Sequence, residues 1–515
     1  MRLIDFFDRS ADRYPQRAFL VDETGTRTYA QTRAHTHRIA NGLIAAGCTP
    51  GTKVAVFSPN LAVAFECILG LLRAGAAWVP LNAKNGVEEN VHIIRTFEVE
   101  YLFYHSSFQA QVDAYVAASP GIRRLVRMDG MGEGTLAALT DGVADIAPDD
   151  LGLGLDTLTA VFPTGGTTGL SKGAVWSNQT WATMIANLHC ALPVRKPPVH
   201  LVIAPMTHAA GGVALMLMAS GATQVILPGF DAKAVMEAIE RHKVTHLFLP
   251  PTAIYMLLAH PDLRQHDYSS LDYFIYAAAP MSVEKLKEAV QAFGPVMAQT
   301  FGQAEAPMLC TCLTPADHDV LGDPVLEKRL ASCGRSTLLT EVAIMADDGR
   351  RLPAGEVGEI VVRGPLVMKG YYKNPEATAA ASEHGWHHTS DIGYADEDGY
   401  VYIVDRKRDM IISGGFNVFP SEIEQVIWSH PAVQDCAVVG APDDKWGEAV
   451  TACVELKPGL AVEPAELIAL CRDKLGPVKA PKTVEIWETL PRSAVGKVLK
   501  RKIREHFWAG RTRLV

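Results

Sequence analysis

The sequence predicts an α/β protein: a large N-terminal domain of layered α/β subdomains that includes a β subdomain, then a small α+β C-terminal domain. Three observations carry this. Short apolar runs alternate with helical patterns through about the first four hundred residues, the rhythm of largely parallel sheets. From about residue 335 to 405 the pattern changes to short strands with glycine-rich turns. Past Asp405 to Asp409 the chain runs on for roughly a hundred residues, the length of one compact domain. At 515 residues the chain is too long for one ordinary core. Its length suggests about two to four domains or subdomains. The predicted limits are 1–405 and 406–515.

In order, Lys53 to Phe57 reads as a strand, Leu61 to Arg73 as a helix and Ala77 to Leu81 as a strand. Leu158 to Phe162 is a short apolar run of the kind that forms a buried strand. Leu201 to Ala204, Gln224 to Leu227, His246 to Leu249 and Tyr273 to Ala277 follow as strands, with helices at Ala232 to His242 and Val283 to Phe293. The β subdomain holds Glu341 to Met345, Gly358 to Arg363 and Tyr400 to Val404. In the C-terminal domain, Ser421 and Glu424 predict a capping box for a helix through Trp428. Strands at Asp435 to Val439, Thr451 to Glu455 and Thr483 to Trp487, and a helix at Pro464 to Leu475, complete it.

Composition excludes some classes. With 48% hydrophobic and 20% charged residues the chain is an ordinary globular protein, and its net charge of -9 argues against a nucleic-acid surface. Nine cysteines without a framework read as small buried residues in a reducing compartment. Cys310-Thr311-Cys312 with His318 matches no zinc pattern. Acids at Asp5, Asp8, Asp12 and Asp22 argue against a signal peptide, and Glu66 and Arg73 interrupt the apolar stretch Phe65 to Leu81 before it could span a bilayer. A cytoplasmic enzyme is expected, with a homodimer allowed.

The stretch Phe162 to Gly173 packs four glycines, three threonines and Lys172 into twelve residues behind a predicted strand. Glycines let backbone N–H groups converge on one anion, hydroxyls add donors, and the lysine adds charge, which is what gripping a polyphosphate needs. It is not a Walker A loop, because Gly173 follows Lys172. Downstream stand Phe301-Gly302-Gln303-Ala304-Glu305, Thr389-Ser390-Asp391, Asp405-Arg406-Lys407-Arg408-Asp409, Gly414-Gly415 and Pro491-Arg492-Ser493-Ala494-Val495-Gly496-Lys497. In this order and spacing the motifs resemble the adenylate-forming superfamily, which includes acyl-CoA synthetases, firefly-type luciferases and peptide-synthetase adenylation domains.

The resemblance implies ATP, Mg2+ and coenzyme A as cofactors or co-substrates, and a C-terminal domain that is mobile about a hinge at Arg408. It implies that Thr164, Gly165, Gly166, Thr167, Thr168 and Lys172 hold the β- and γ-phosphates, and that Glu305, with the hydroxyl of Thr164 or Thr167, binds Mg2+. Ala278 and Ala279 pass beside the purine, and Phe301 offers it a flat face; Gly302, Gln303 and Ala304 complete that segment. By the same resemblance Asp391 and Arg406 are expected to grip the ribose. Lys497 bridges the α-phosphate and the attacking carboxylate, and His208 stands at the carboxylate's approach as an aromatic gate more than a base. The resemblance further implies that Gly414 and Gly415 line the pantetheine tunnel and that Trp446 stacks on the CoA adenine. Four positions depart from the pattern: Ser171 for proline, Ala304 for threonine, Phe301 for tyrosine and Phe416 for glutamate.

No aspartate lies between Pro205 and Met216 to bind a substrate amino group, which sets aside amino-acid activation. Gly169-Leu170-Ser171-Lys172-Gly173 also fits a serine-hydrolase elbow, but that needs a strand directly before and a helix directly after, and Ala174-Val175-Trp176 reads as a strand. The expected activity is ATP-dependent ligation of a carboxylic acid to CoA, releasing AMP and pyrophosphate; the alternatives are an adenylating enzyme with another acceptor and, distantly, a hydrolase using Ser171. The segments His208 to Gly212, Tyr273 to Ala279 and Phe301 to Met308 carry no lysine or arginine to meet a second carboxylate. Short-chain members close the pocket with tryptophan at the position of Gly302. An apolar monocarboxylic acid larger than propionate, fatty or aromatic, is therefore expected.

Overall fold

In the computed structural model, which describes residues 1–164, 171–407, 409–443, 445–492 and 498–509, the apolar runs become the inner strands of two large sheets. The nine-stranded sheet runs Arg335–Ser336, Ala306–Leu313, Met297–Gln303, Tyr273–Tyr276, His246–Leu249, Val199–Val202, Thr223–Ile226, Ala18–Asp22, Gly25–Thr28. Its inner strands are parallel and its edge strands pair antiparallel. The six-stranded sheet runs Arg124–Arg127, Tyr101–Tyr104, Lys53–Phe57, Ala77–Pro80, Leu158–Pro163, Gly173–Ser177, and only its last pairing is antiparallel. Parallel strands need helical crossovers on their faces, so they are buried on both sides and read as continuous apolar runs.

The helix Ala62–Arg73 is buried nearly all round. A Cβ on Gly70 would come within 2.4 Å of Ile39, so the helix Tyr29–Ala45 packs directly on its backbone. Its charges are paired: Arg73 donates to Asp8 at 2.7 and 2.9 Å, and Glu66 lies 3.0 Å from His35. Pairing makes such burial tolerable. Among the described residues no helix is long and apolar enough to cross a membrane.

The strands Glu341–Met345, Gly358–Arg363, His387–Ala395 and Val401–Arg406 form an antiparallel sheet, as the sequence predicted for this region. From Ile411 the strands belong to another sheet: Phe416–Val418, Ile411–Ser413, Gly447–Leu456 and Val433–Asp443, with Thr483–Trp487 parallel to Gly447–Leu456. The hairpin Val433–Asp443/Gly447–Leu456 is longer than expected, because pairing continues through Gly440-Ala441-Pro442, residues with no strand signal of their own. The capping box is not formed. Pro420 sets the first helical residue of Pro420–Trp428, so Ser421 is already inside the helix. Glu424 is buried instead, accepting from Val438 N at 2.7 Å and pairing with Lys500 at 2.8 Å.

Four core histidines make the fold acid-sensitive. Burial pushes the imidazoles of His200, His318 and His387 down to about 4 and that of His246 down to about 3. The unfolded chain, with histidines near 6.5, then binds more protons than the folded one below that pH. Stability is held above about pH 6.5 and is lost as pH falls toward about 4. Urea midpoints should drop steeply between pH 7 and pH 5; a flat midpoint over that range contradicts these placements.

Candidate active site

The phosphate-loop candidate grows from a hairpin. Leu158–Pro163 and Gly173–Ser177 pair as far as Pro163 and Gly173, and Thr164 N then donates to Lys172 O at 2.8 Å to close the base of the loop. A second segment is stitched along this hairpin: Lys369 N donates to Val175 O at 2.9 Å, Val175 N to Gly370 O at 3.0 Å and Tyr372 N to Gly173 O at 2.7 Å. This places Tyr371 beside the loop. Lys172 Nζ lies 4.8 Å from the centre of the Tyr371 ring, and the Tyr371 hydroxyl donates to Glu305 Oε1 at 2.7 Å. Burial and the Glu305 charge together hold the Tyr371 phenol well above its ordinary range, so it stays a donor. Trp176 Nε1 donates to Ala304 O and Met368 N to Glu305 O, both at 2.7 Å. One lysine, one carboxylate and the loop base thus converge, with Glu305 only 8% exposed.

Gly165, Gly166, Thr167 and Thr168 lie outside the described residues. Thr164 is buried at the loop base. Among the described residues no three His, Cys, Asp or Glu side chains gather as a metal cage. A single carboxylate fits Mg2+, which takes one or two carboxylates and fills its octahedron with phosphate oxygens and water. Cys310, Cys312 and His318 are core residues, His318 lying 2.9 Å from the Tyr276 hydroxyl. Ser171 is followed by the strand Gly173–Ser177, so the strand–turn–helix elbow of a hydrolase is absent there.

The ribose candidates come together through sheet register. Asp391 and Arg406 are cross-strand partners, with Arg406 Nε 2.8 Å from Asp391 Oδ1. Asp391 N donates to Thr389 Oγ1 at 3.1 Å, and Gln303 Nε2 donates to Thr389 O at 3.2 Å, which ties this strand to the Phe301–Glu305 segment. Ala278 turns the chain just after the strand Tyr273–Tyr276, and Ala279 follows it half-buried.

The expectation that Gly302, where short-chain members carry tryptophan, leaves the pocket floor open is corrected by the backbone around it. A Cβ there would lie 2.4 Å from Met308 N and 2.7 Å from Ala306 O, because the hairpin bulges between Phe301 and Gln303. Glycine is required by backbone approach, so no side chain at this position can simply resize a pocket.

Ala278, Met308 and Ser390 hold left-handed φ values of 76°, 60° and 60°. Non-glycine residues there store strain. Ala278→Gly and Ser390→Gly are each expected to stabilise the fold by about 0.5–1 kcal/mol, read as a higher urea midpoint. Destabilisation by either would contradict the strain.

His208 begins the buried helix Ala209–Leu217. Its Nδ1 is 3.0 Å from Thr207 Oγ1, and its ring meets Phe162 edge-on at 6.3 Å, while Phe162 stacks on Trp176 at 4.4 Å. Burial pushes this imidazole down to about 4, so at neutral pH it is an uncharged aromatic plate. Thr207 next to it lines a cavity of about 510 Å³ where the carboxyl ends of parallel strands from both large sheets converge. Ser58, Asn60, Lys84, Phe230 and Arg492 share that lining, and of these only Arg492 belongs to a motif that marks it in sequence. Ligands favour such strand ends.

In the C-terminal region, Gly414 and Gly415 form a two-residue hairpin turn with φ of 58° and 83°, between the partners Ser413 and Phe416. Both conformations call for glycine. Gly414 has a second reason: a Cβ would lie 2.7 Å from the Trp446 ring. Lys445 and Lys482 stand over that ring at 4.9 and 5.4 Å. Lys497 and Arg408 lie outside the described residues. The flanks of the Lys497 segment are fixed. Arg492 pairs antiparallel with Val498 and binds Asp435 at 2.7 Å and Glu455 at 3.0 Å; Lys500 is held by Glu424.

Comparison with known proteins adds independent findings. Residues 7–372 match the family described as AMP-binding enzyme, and residues 422–497 match the AMP-binding enzyme C-terminal domain. A medium/long-chain-fatty-acid–CoA ligase, FadD8 of Mycobacterium tuberculosis, is 42% identical over 379 residues, 72% of this chain and 64% of that relative's length. A feruloyl-CoA synthase of Amycolatopsis sp is 37% identical over 484 residues, 93% of this chain and 94% of the relative. The structure of the amide bond synthetase McbA from Marinactinospora thermotolerans superposes with a TM-score of 0.89 at 31% identity, covering 98% of this chain and 100% of that one.

Proposed function

The chain belongs to the AMP-binding enzyme family, and from that premise we propose that it is an ATP-dependent acid–thiol ligase that activates an apolar monocarboxylic acid, fatty or aromatic, and transfers it to coenzyme A. The observation that carries the reading is the convergence of Lys172, Tyr371 and Glu305 at the base of the glycine- and threonine-rich loop, with the Asp391–Arg406 pair tied to it through Gln303.

In the first step a carboxylate oxygen attacks the α-phosphorus of ATP, the bond to the bridging oxygen breaks, and pyrophosphate leaves. Lys172 and the loop N–H groups hold the outgoing phosphates. Lys497 neutralises charge at the α-phosphate, and preorganised cations there lower the barrier most. Glu305, with Thr164, would hold Mg2+, which neutralises phosphate charge when bound. Asp391 accepts hydrogen bonds from the ribose hydroxyls. His208, uncharged, walls the carboxylate's approach as an aromatic plate and adds no charge of its own there. In the second step the thiol sulfur attacks the adenylate carbonyl, the C–O bond to AMP breaks, and the thiol proton is released. The cavity beside Thr207, with Lys84 in its wall, suits a phosphate-bearing acceptor.

The similarity to an amide bond synthetase favours one second reading, in which an amine accepts the acyl group. Pyrophosphate release and product mass over a panel of carboxylic acids, with CoA, with amines and with neither, separates the two. Thioester with CoA supports the ligase; amide without thioester supports the second reading.

A further inference from the structure

Beneath the helix that begins at His208, four adjacent strands place polar side chains in one cross-strand row. Gln224 pairs with His200, His200 with His246, and His246 with Tyr273. Register partners on parallel strands point to the same face, and here that face meets the helix: Gln224 Nε2 donates to Ala214 O at 3.2 Å. One row nearer the candidate site the same face is apolar, with Ile226, Val202, Phe248 and Ile275 in one core cluster with Ala210 and Val213 of the helix.

The hydrogen bonds favour one tautomer of each ring. Since Gln224 uses its amide nitrogen on Ala214, its Oε1 accepts from His200 Nδ1 at 2.7 Å. Thr245 Oγ1 lies 3.1 Å from Val199 O and 2.8 Å from His246 Nδ1; with its proton on the carbonyl, His246 Nδ1 is the donor to it. Both rings are neutral, and Nε2 of each is then a bare acceptor. His200 is 0% and His246 2% exposed, and among the described residues neither Nε2 has a hydrogen-bond partner. By contrast, His189 nearby has both nitrogens engaged, by Ile185 O and Ser220. Two adjacent buried acceptors without donors are costly, and native proteins keep such groups for a reason.

We infer that the paired Nε2 atoms of His200 and His246 form a distal anchor for the acyl substrate, accepting a hydrogen bond from a hydroxyl at the end of the acid remote from its carboxylate. The inference rests on the ligase reading and narrows its substrate class. Ala214 lies six residues past His208, about 9 Å along the helix at 1.5 Å per residue, so an acid whose carboxylate is at His208 reaches the row with a medium chain or a substituted ring. Met308 packs over Gly212 on this path, and its unbranched side chain can swing aside. The apolar row passes the carbon skeleton, and the polar row reads its end.

The test measures pyrophosphate release for matched pairs: para-hydroxyphenylpropanoate against phenylpropanoate, and a terminally hydroxylated medium-chain fatty acid against its parent. Wild type is expected to favour the hydroxylated member of at least one pair by about 10- to 100-fold in kcat/KM. His200→Phe with His246→Phe should erase that preference by lowering only the hydroxylated acid. Equal use of both members of each pair by wild type, or equal loss for both in the variant, overturns the anchor. If the variant fails to fold, ring nitrogen NMR of wild type decides: the Nε2 signals move on adding the hydroxylated acid and not its parent, and unmoved signals overturn it. Absence of pyrophosphate with every acid refutes the ligase reading, a different outcome from equal use of both.

Discussion

Lys497→Ala is expected to lower pyrophosphate release from acid plus ATP by about two to three powers of ten, while CoA consumption from a preformed acyl-adenylate stays near wild type. The asymmetry follows from where charge develops. In-line attack on the α-phosphorus places negative charge on oxygens that only a fixed cation in a water-poor site can stabilise, whereas thioester formation spreads charge on the acyl carbonyl instead. Arg492 and Lys500, on either side, are committed to Asp435, Glu455 and Glu424, so neither can take over at the α-phosphate without breaking its own pairing. Equal losses in the two half-reactions would remove Lys497 from this role.

Glu305→Gln is expected to reduce adenylation by about two to three powers of ten with little change in stability. The amide keeps the shape and still accepts from the Tyr371 hydroxyl, so the hairpin, the Ala304–Glu305 segment and the Met368–Tyr371 segment stay joined. Only the charge is lost, and with it the grip on Mg2+. Tyr371→Phe provides the comparison. It removes the 2.7 Å bond that orients the carboxylate but leaves the charge, and a loss of about tenfold is expected. Loss of activity in Glu305→Gln that raised Mg2+ does not relieve even in part, together with full activity in Tyr371→Phe, would contradict a metal-binding carboxylate positioned by Tyr371.

Part of this was legible in the chain because motif residues advertise themselves by type and spacing. Lys172 and Glu305 meet at Tyr371, Asp391 and Arg406 face each other across two strands, and Gly414-Gly415 turns a hairpin. What stayed hidden depends on register and tertiary approach. Tyr371 sits 66 positions from Glu305 and meets it only because the 369–372 segment is stitched to a hairpin. Gly302 reads as room for substrate until the bulge brings the Met308 backbone against it. The predicted strand begins at Leu201, whereas the observed one begins at Val199, and the burial of His200 follows from its pairing to Gln224. Ser421 reads as a cap by type and spacing, but Pro420 takes the first helical position and puts Ser421 inside the helix.

The central claim is that a carboxylate becomes an acyl-adenylate before it meets the thiol. It is tested most directly by supplying an accepted acid labelled with oxygen-18 in both carboxylate positions, with ATP and CoA, and weighing the products. The account predicts one labelled oxygen in the phosphate of AMP, one retained in the acyl thioester, and none in pyrophosphate. Label in released phosphate or pyrophosphate, or thioester formed without labelled AMP, would contradict it.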